Sequence, residues 1–76
     1  MKELLTYIAK NLVNDPDAVS VTETQQGEET VFELHVAPDD MGKVIGRHGR
    51  IAKEIRTLMK AAGNRQNKKV SVEIVD

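Results

Sequence analysis

The sequence lacks the residues that several classes of protein depend on. Its 76 residues include no cysteine and no tryptophan, and Tyr7 and Phe32 are the only aromatic side chains. Without cysteine the chain can form no disulfide and carry out no thiolate chemistry, which fits a reducing compartment. The N-terminal segment MKELLTYIAKNLV mixes charged with apolar residues, so it has the pattern of neither a membrane span nor a signal peptide. These absences predict a cytoplasmic protein whose residues 1–76 form one domain with a modest apolar core.

Acidic and basic residues are concentrated in opposite halves of the chain, which the net charge of −1 conceals. Residues 1–40 carry two basic and nine acidic side chains, a balance of −7, whereas residues 41–76 carry nine basic and three acidic ones, a balance of +6. Because affinity for a polyanion depends on the local field of a patch, the basic half predicts a polyanionic partner. The alternative interpretation is a dipolar surface that binds nothing.

Apolar spacing predicts six elements in the order α-β-β-α-α-β. They are a helix at 3–13, strands at 19–22 and 32–36, a short helix after Pro38, a helix at about 50–62 and a strand at 70–74. Two apolar stripes define the long helices, Leu4, Leu5, Ile8, Ala9 and Leu12 in the first and Ile51, Ile55, Leu58, Met59 and Ala62 in the second. Gly63 is placed to cap the second of these helices, and Asp39 and Asp40 complement the dipole of the short one.

The order of the elements predicts how they are arranged in space. The first two strands are joined by a short turn around Gly27, so they should form an antiparallel hairpin. A right-handed crossover through two helices should then place the third strand parallel to the second. The predicted fold class is therefore α+β, with a three-stranded mixed sheet and three helices packed on one face.

The stretch GRHG joins the short helix to the long one. Gly46 and Gly49 enclose Arg47 and His48, and glycine allows a sharp turn and the close approach of another backbone. The helix that begins near Arg50 has free N–H groups and the positive end of its dipole in its first turn. A helix terminus of this kind binds anions, notably phosphate.

More basic residues lie on both sides of this loop. Lys43 precedes it, and Lys53, Arg56 and Lys60 follow along one flank of the long helix. On spacing alone, two glycines three residues apart are equally typical of a plain turn between helices. Because a plain turn needs no cationic pair inside it and no basic residues around it, we predict a phosphate-binding site.

No catalytic or metal-binding constellation is apparent in the sequence. A P-loop needs G-x-x-x-x-G-K-[ST], and the glycines here have neither that spacing nor the Lys-Ser/Thr pair. His35 and His48 have no cysteine or acidic partner at metal-binding spacing, and neither serine has an adjacent base. We therefore expect no metal, no cofactor, no small-molecule substrate and no enzyme activity.

The stretch VIGRHGRIAKEIR resembles the signature of the KH domain, an RNA-binding module marked by (V/I)-I-G-x-x-G and a helix that begins with an apolar residue. The positions that match are Val44, Ile45, Gly46, Arg47, His48, Gly49 and Ile51. The predicted order of elements is similar to the type II, prokaryotic arrangement. From MKELLTYIAKNLV through NDPD and DMGKVIG to KKVSVEIV, the whole chain resembles the KhpA family of small stand-alone bacterial KH proteins.

This resemblance implies a single-stranded RNA-binding protein, either an RNA chaperone or a post-transcriptional regulator. The loop would clamp about four nucleotides by their backbone, with Arg47 and His48 against phosphates and Ile45 and Ile51 lining or supporting the groove for the bases. The residues expected to bind RNA are Lys43, Ile45, Gly46, Arg47, His48, Gly49, Arg50, Ile51 and Lys53. The resemblance also implies pairing with a second copy or with a larger KH-containing partner, KhpB.

Two hypotheses follow for the function. The first is RNA binding, which we expect to be weak and led by the backbone, because the chain lacks the aromatic platforms on which other modules stack bases. The expected affinity is about micromolar or weaker at physiological salt. The alternative is a KH-shaped interaction subunit that acts mainly by dimerisation, in which the basic half of one copy meets the acidic half of another.

Overall fold

The computed structural model describes residues 1–75 and confirms the predicted order of elements. The helices and strands are α1, Lys2–Leu12; β1, Ser20–Gln26; β2, Glu29–His35; α2, Met41–Ile45; α3, Arg50–Arg65; and β3, Lys69–Val75. Single turns of 3-10 helix lie between them at Pro16–Ala18, Pro38–Asp40 and Arg47–Gly49. Within residues 1–75, no helix combines the length and the apolar character needed to cross a membrane.

The three strands form one mixed sheet in the order β1-β2-β3. β1 is antiparallel to β2 and β2 is parallel to β3, so the predicted hairpin and the predicted parallel pair are both confirmed. β1 runs further than its apolar alternation indicated, because backbone pairing continues beyond the part of the strand that the helices cover. The hairpin closes at the pair Gln26 and Glu29, and Gly27 takes the turn with φ 62°.

The helices bury one face of the sheet, as the two-layer prediction required. Side chains from the helices and from the sheet meet in one cluster: Leu5 and Ala9 from α1, Phe32 and Leu34 from β2, Val44 from α2, Ile55 and Met59 from α3, and Val70 and Val72 from β3. Two residues assigned to the apolar stripes are on the surface instead, since Leu4 is 41% exposed and Leu58 is 55% exposed. The buried face of each long helix is therefore narrower than the apolar stripe that predicted it.

The prediction that Gly63 caps α3 was wrong. The helix continues to Arg65, and Gly63 is buried inside it against β3. The left-handed residue that ends the helix is Asn67, with φ 57°. The N–H groups of Lys68 and Asn67 donate to the carbonyls of Gly63 and Asn64 over 2.9 and 3.1 Å, which is a Schellman motif.

Asp40 makes a contact that the sequence did not predict. It lies in the acidic turn that leads into α2, as expected, and its carboxylate is also buried. Its Oδ2 accepts a hydrogen bond of 3.0 Å from the backbone N–H of Asp15, in the segment that follows α1. This bond ties the end of α1 to the start of α2, so it fixes the base of the helix–loop–helix unit that carries the predicted site.

Candidate nucleic-acid interface

The GRHG turn has an unusual backbone conformation. Gly46 ends α2 with φ 77° and ψ 176°, a combination that is essentially restricted to glycine. His48 has φ 58° and ψ 25°, and Gly49 has φ 72° and ψ 15°, so both lie in the left-handed region. Left-handed backbone is unfavourable for a side chain such as that of His48, and strain of this kind is concentrated at functional sites.

This conformation leaves backbone donors free at the turn. The N–H of Gly49 donates to the carbonyl of Gly46 over 3.2 Å, and the N–H of Arg50 donates to the carbonyl of Arg47. Across residues 1–75, no acceptor meets the N–H of Arg47 or that of His48. The turn therefore presents two adjacent N–H groups next to the start of α3, and successive backbone N–H groups in such turns form anion-binding concavities.

The N-terminus of α3 adds its own positive field to these donors. α3 has 16 residues, and the residue before it, Gly49, has no side chain to bind the free N–H groups of the first turn. The partial positive charge at a helix N-terminus favours an anion there. Arg47, His48 and Arg50 are exposed around the same point, so three side chains that carry or can acquire a positive charge surround the free donors.

The surface beside the turn is concave. Five residues line a cavity of about 420 Å³ next to the loop: Arg47, His48, Arg50, Ile51 and Glu54. A second hollow, of about 520 Å³, continues along the outer face of α3 and shares Arg50 and Glu54 with the first. Glu54, the single acidic residue of α3, was not predicted as part of the site, because its charge is opposite to that of its neighbours.

The remaining predicted residues lie close to the turn in different environments. Ile45 is 36% exposed and Ile51 is half-buried, so both present apolar surface at the junction of α2 and α3. Gly46 approaches Ile51 so closely that a Cβ on the glycine would stand 2.6 Å from Cγ1 of Ile51. Lys43 is exposed on α2, and Lys53 is exposed one turn into α3. The fold thus brings all nine predicted residues to one region, within α2, the turn and the first turns of α3.

Arg56 differs from the other basic residues of α3. Its Nε donates a hydrogen bond of 3.2 Å to the backbone carbonyl of Val72, in a partly buried position. The sequence placed Arg56 on the same flank as Lys53 and Lys60 but gave no sign of this contact. The periodicity of a helix defines its faces, whereas the strand that a face meets depends on tertiary packing.

No carboxylate within residues 1–75 forms an ion pair with the cations around the turn. In residues 1–75, the one ion pair joins the terminal ammonium of Met1 to Glu3 over 3.3 Å. A backbone hydrogen bond and then this ammonium hold the pKa of Glu3 below its ordinary value. Within the same residues, no group of three or more His, Cys, Asp or Glu side chains could hold a metal ion. The arrangement is therefore suited to binding an anion by backbone donors and cationic side chains.

Comparison with known proteins identifies the family. Residues 2–74 match the family described as KhpA/KhpB, KH domain. The chain is 57% identical over 75 residues to the RNA-binding protein KhpA of Clostridium acetobutylicum, covering 99% of this chain and 100% of the relative. It is 49% identical over 76 residues to the RNA-binding protein KhpA of Chlamydia trachomatis, covering 100% of this chain and 97% of the relative.

A solved structure shares the fold at a greater distance. A crystal structure of Aquifex aeolicus Era superposes with a TM-score of 0.60 at 19% identity, over 96% of this chain and 28% of that one. Identity at this level speaks for the fold alone. The family match and the two full-length relatives lead to one conclusion: the chain belongs to the KhpA/KhpB family of KH domains.

Proposed function

We propose that this protein binds single-stranded RNA by holding its phosphate backbone against the GRHG turn and the basic flank of α3. The observation that carries the proposal is the pair of free N–H groups on Arg47 and His48, set beside the N-terminus of α3 among exposed cations. Phosphate oxygens are the acceptors that such donors bind. The names of the relatives, RNA-binding protein KhpA, agree with this proposal.

The manner of binding follows from which side chains are available. Phe32 is buried in the core and Tyr7 is exposed on α1, so neither is placed by the GRHG turn to stack a base. The apolar surface at the turn comes from Ile45 and Ile51, which would line or support a groove for the bases. We expect weak, backbone-led binding, about micromolar, that falls steeply with salt because it releases counterions.

The wider role that fits this mode of binding is that of a cytoplasmic RNA chaperone or post-transcriptional regulator, with residues 1–76 acting as one unit. Weak contacts to many sequences suit a protein that rearranges RNA more than one that marks a single site. Such a role requires no cofactor and no chemical step.

A double substitution at the turn tests the proposal. Arg47→Asp with His48→Asp places two carboxylates where phosphates are to lie, so binding to a fluorescent single-stranded RNA should be lost in anisotropy titrations. Lys10→Asp with Asn11→Asp, on the exposed side of α1, changes the formal charge equally and serves as the control. Both variants should unfold cooperatively near the wild-type temperature. The proposal is wrong if the turn variant still binds or if the control loses binding to the same extent.

We also propose a second function, pairing of two copies through α3, because a self-complementary stripe is exposed there. Leu58 is 55% exposed, and together with Leu4 and Ala61 it borders an apolar groove between α1 and α3. In an antiparallel pair of α3 helices, Leu58 of one copy would meet Ala61 of the other. Glu54 and Arg65 are spaced equally about the same midpoint, so each would meet the opposite charge.

Charge reversal distinguishes this pairing from nonspecific hydrophobic association. Glu54→Arg alone and Arg65→Glu alone each bring like charges together twice across the two-fold axis, so each should weaken the dimer in sedimentation velocity. The double variant restores opposite charges and should recover the dimer. A wild-type mass equal to one chain at every concentration would sink the homodimer, and titration with a KhpB-type KH domain would then test the hetero-complex. Pairing would raise the affinity for RNA by avidity.

A further inference from the structure

Arg56 connects α3 to the free edge of the sheet. Among the strands of residues 1–75, β3 pairs with β2 alone, so its other edge carries main-chain groups that none of these strands satisfies. The hydrogen bond of 3.2 Å from Nε of Arg56 to the carbonyl of Val72 occupies one acceptor on that edge. Lys53 and Lys60, three residues before and four after, lie on the same flank of α3. This basic flank of α3 therefore begins one turn after the GRHG turn and contacts β3 at Val72.

The contact with Val72 restrains the guanidinium of Arg56 but engages only one of its N–H donors. A guanidinium has five N–H donors in a planar fork and no acceptor. One donor is engaged by the carbonyl of Val72, and no carboxylate in residues 1–75 forms an ion pair with Arg56. Four donors remain on an exposed side chain whose orientation is restrained by one partly buried hydrogen bond. A restrained, unpaired fork beside a nucleic-acid interface is equipped to recognise a base edge.

We infer that Arg56 is a specificity-determining residue that selects, at one position of the bound strand, a base with two adjacent acceptors, which means guanine or cytosine. The inference rests on the proposed function and adds base selection to it. Arg56 supplies only donors, and the carbonyl of Val72 beside it is already occupied by Arg56 itself. A base that must both donate and accept along the recognised edge would leave one of its groups unpaired.

The four bases differ in this property. Guanine has O6 beside N7, and cytosine has O2 beside N3, so each can accept both prongs of the fork. In adenine, the ring acceptors N1 and N7 each lie beside the exocyclic amino group, which is a donor. In uracil, the donor N3–H separates the two carbonyls. A bidentate contact of arginine to a base typically discriminates by at least about fivefold against a base that cannot form it.

The experiment uses the full chain and four fluorescent eight-nucleotide RNAs, oligouridine and the same strand with one central guanine, cytosine or adenine. The wild-type protein should bind the guanine and cytosine strands at least about fivefold more tightly than the other two. Arg56→Lys keeps the charge and loses the fork, so it should keep the salt dependence while the preference falls below about twofold. Lys60→Gln, on the same flank, should weaken all four strands equally and retain the preference.

The possible results separate the two proposals. If no strand binds to the wild-type protein at low salt, RNA binding and base selection both fall. If all four bind equally, or if the preference survives in Arg56→Lys, base selection alone is overturned. NMR spectroscopy of the wild-type protein gives a readout that needs no variant. It follows the Nε–H resonance of Arg56 and the four remaining N–H signals of its guanidinium. Addition of the guanine strand should slow the rotation and exchange of those signals, and oligouridine should not; equal effects of both strands would also overturn the inference.

Discussion

A Cβ placed on Gly46 would stand 2.6 Å from Cγ1 and 2.9 Å from Cδ1 of Ile51. The first residue of the GRHG turn is thus pressed against the second residue of α3. This contact closes the turn into a compact joint between α2 and α3. The absence of a side chain at Gly46 is a packing requirement as well as a conformational one.

We predict that Gly46→Ala is much more harmful than Gly49→Ala. At Gly46 an alanine would add backbone strain of about 1–3 kcal/mol to a clash with Ile51 that costs about as much again. At Gly49 the left-handed backbone costs about 1 kcal/mol, and nothing lies within 4 Å of the added carbon. Urea denaturation with a common slope measures both free energies of unfolding.

Gly42→Ala is the control for this comparison, because Gly42 has open space around it inside α2. Helix propensity predicts a stabilisation of up to about 1 kcal/mol there. Equal destabilisation by the substitutions at Gly46 and Gly49 would show that contact with Ile51 does not constrain the turn.

Gly63→Ala should destabilise the domain although alanine is the better helix former. The added Cβ would lie 2.7 Å from Cγ2 of Val70 and 2.9 Å from the backbone oxygen of Lys68, and a backbone oxygen cannot easily move away. Overpacking of this kind costs about 1–3 kcal/mol, against a gain in propensity of about 1 kcal/mol. The net loss should appear in thermal unfolding. Asn64→Ala, at the exposed neighbouring position, should raise the unfolding temperature, and a rise for Gly63→Ala as well would contradict the close packing of α3 on β3.

Asp40→Ala should lower the free energy of unfolding by about 1–3 kcal/mol, because it leaves the N–H of Asp15 without its acceptor in a partly buried place. Asp39→Ala, one residue earlier and exposed, removes the same charge and should change stability by less than about 0.5 kcal/mol. Guanidinium denaturation of the two variants compares them directly. Similar losses would mean that both residues act only as charges near α2.

Lys53→Gln should reduce the dependence of RNA affinity on salt by about one unit of the logarithmic slope, with little effect on the unfolding temperature. The reason is that Lys53 is exposed one turn beyond the GRHG loop, where it can meet one phosphate. Titrations at four salt concentrations give the slope. Lys2→Gln, which removes an exposed charge from α1, should leave it unchanged, and equal slopes for both variants would argue against a defined path for the RNA backbone.

Much of the fold could be predicted because the apolar periodicity is regular. The order of elements, the hairpin and the parallel pair of strands all followed from spacing and connection length, and Phe32 is buried as its strand pattern indicated. The end of α3 could not be predicted in the same way. Glycine and asparagine both accept left-handed backbone, and the choice of Asn67 over Gly63 depends on how closely α3 packs against β3.

The candidate site was predictable in part for a related reason. The glycines and cations around GRHG are contiguous in sequence, so their proximity required no knowledge of tertiary structure. The contact between Arg56 and Val72 and the bond between Asp40 and Asp15 join residues 16 and 25 positions apart. The exposure of Leu58 was equally hidden, because an apolar stripe does not reveal how much of its width a neighbouring helix covers.

By itself, the sequence determined the alternation of elements, the split of charge between the halves and the turn that places donors beside the N-terminus of α3. These are local properties, set by periodicity, charge and the backbone preferences of glycine. Only the tertiary structure decided that Ile51 leaves no room for a side chain at position 46 and that Arg56 reaches β3 at Val72. Those relationships depend on distances between elements, which are the outcome of packing the whole core and are not encoded in any one segment.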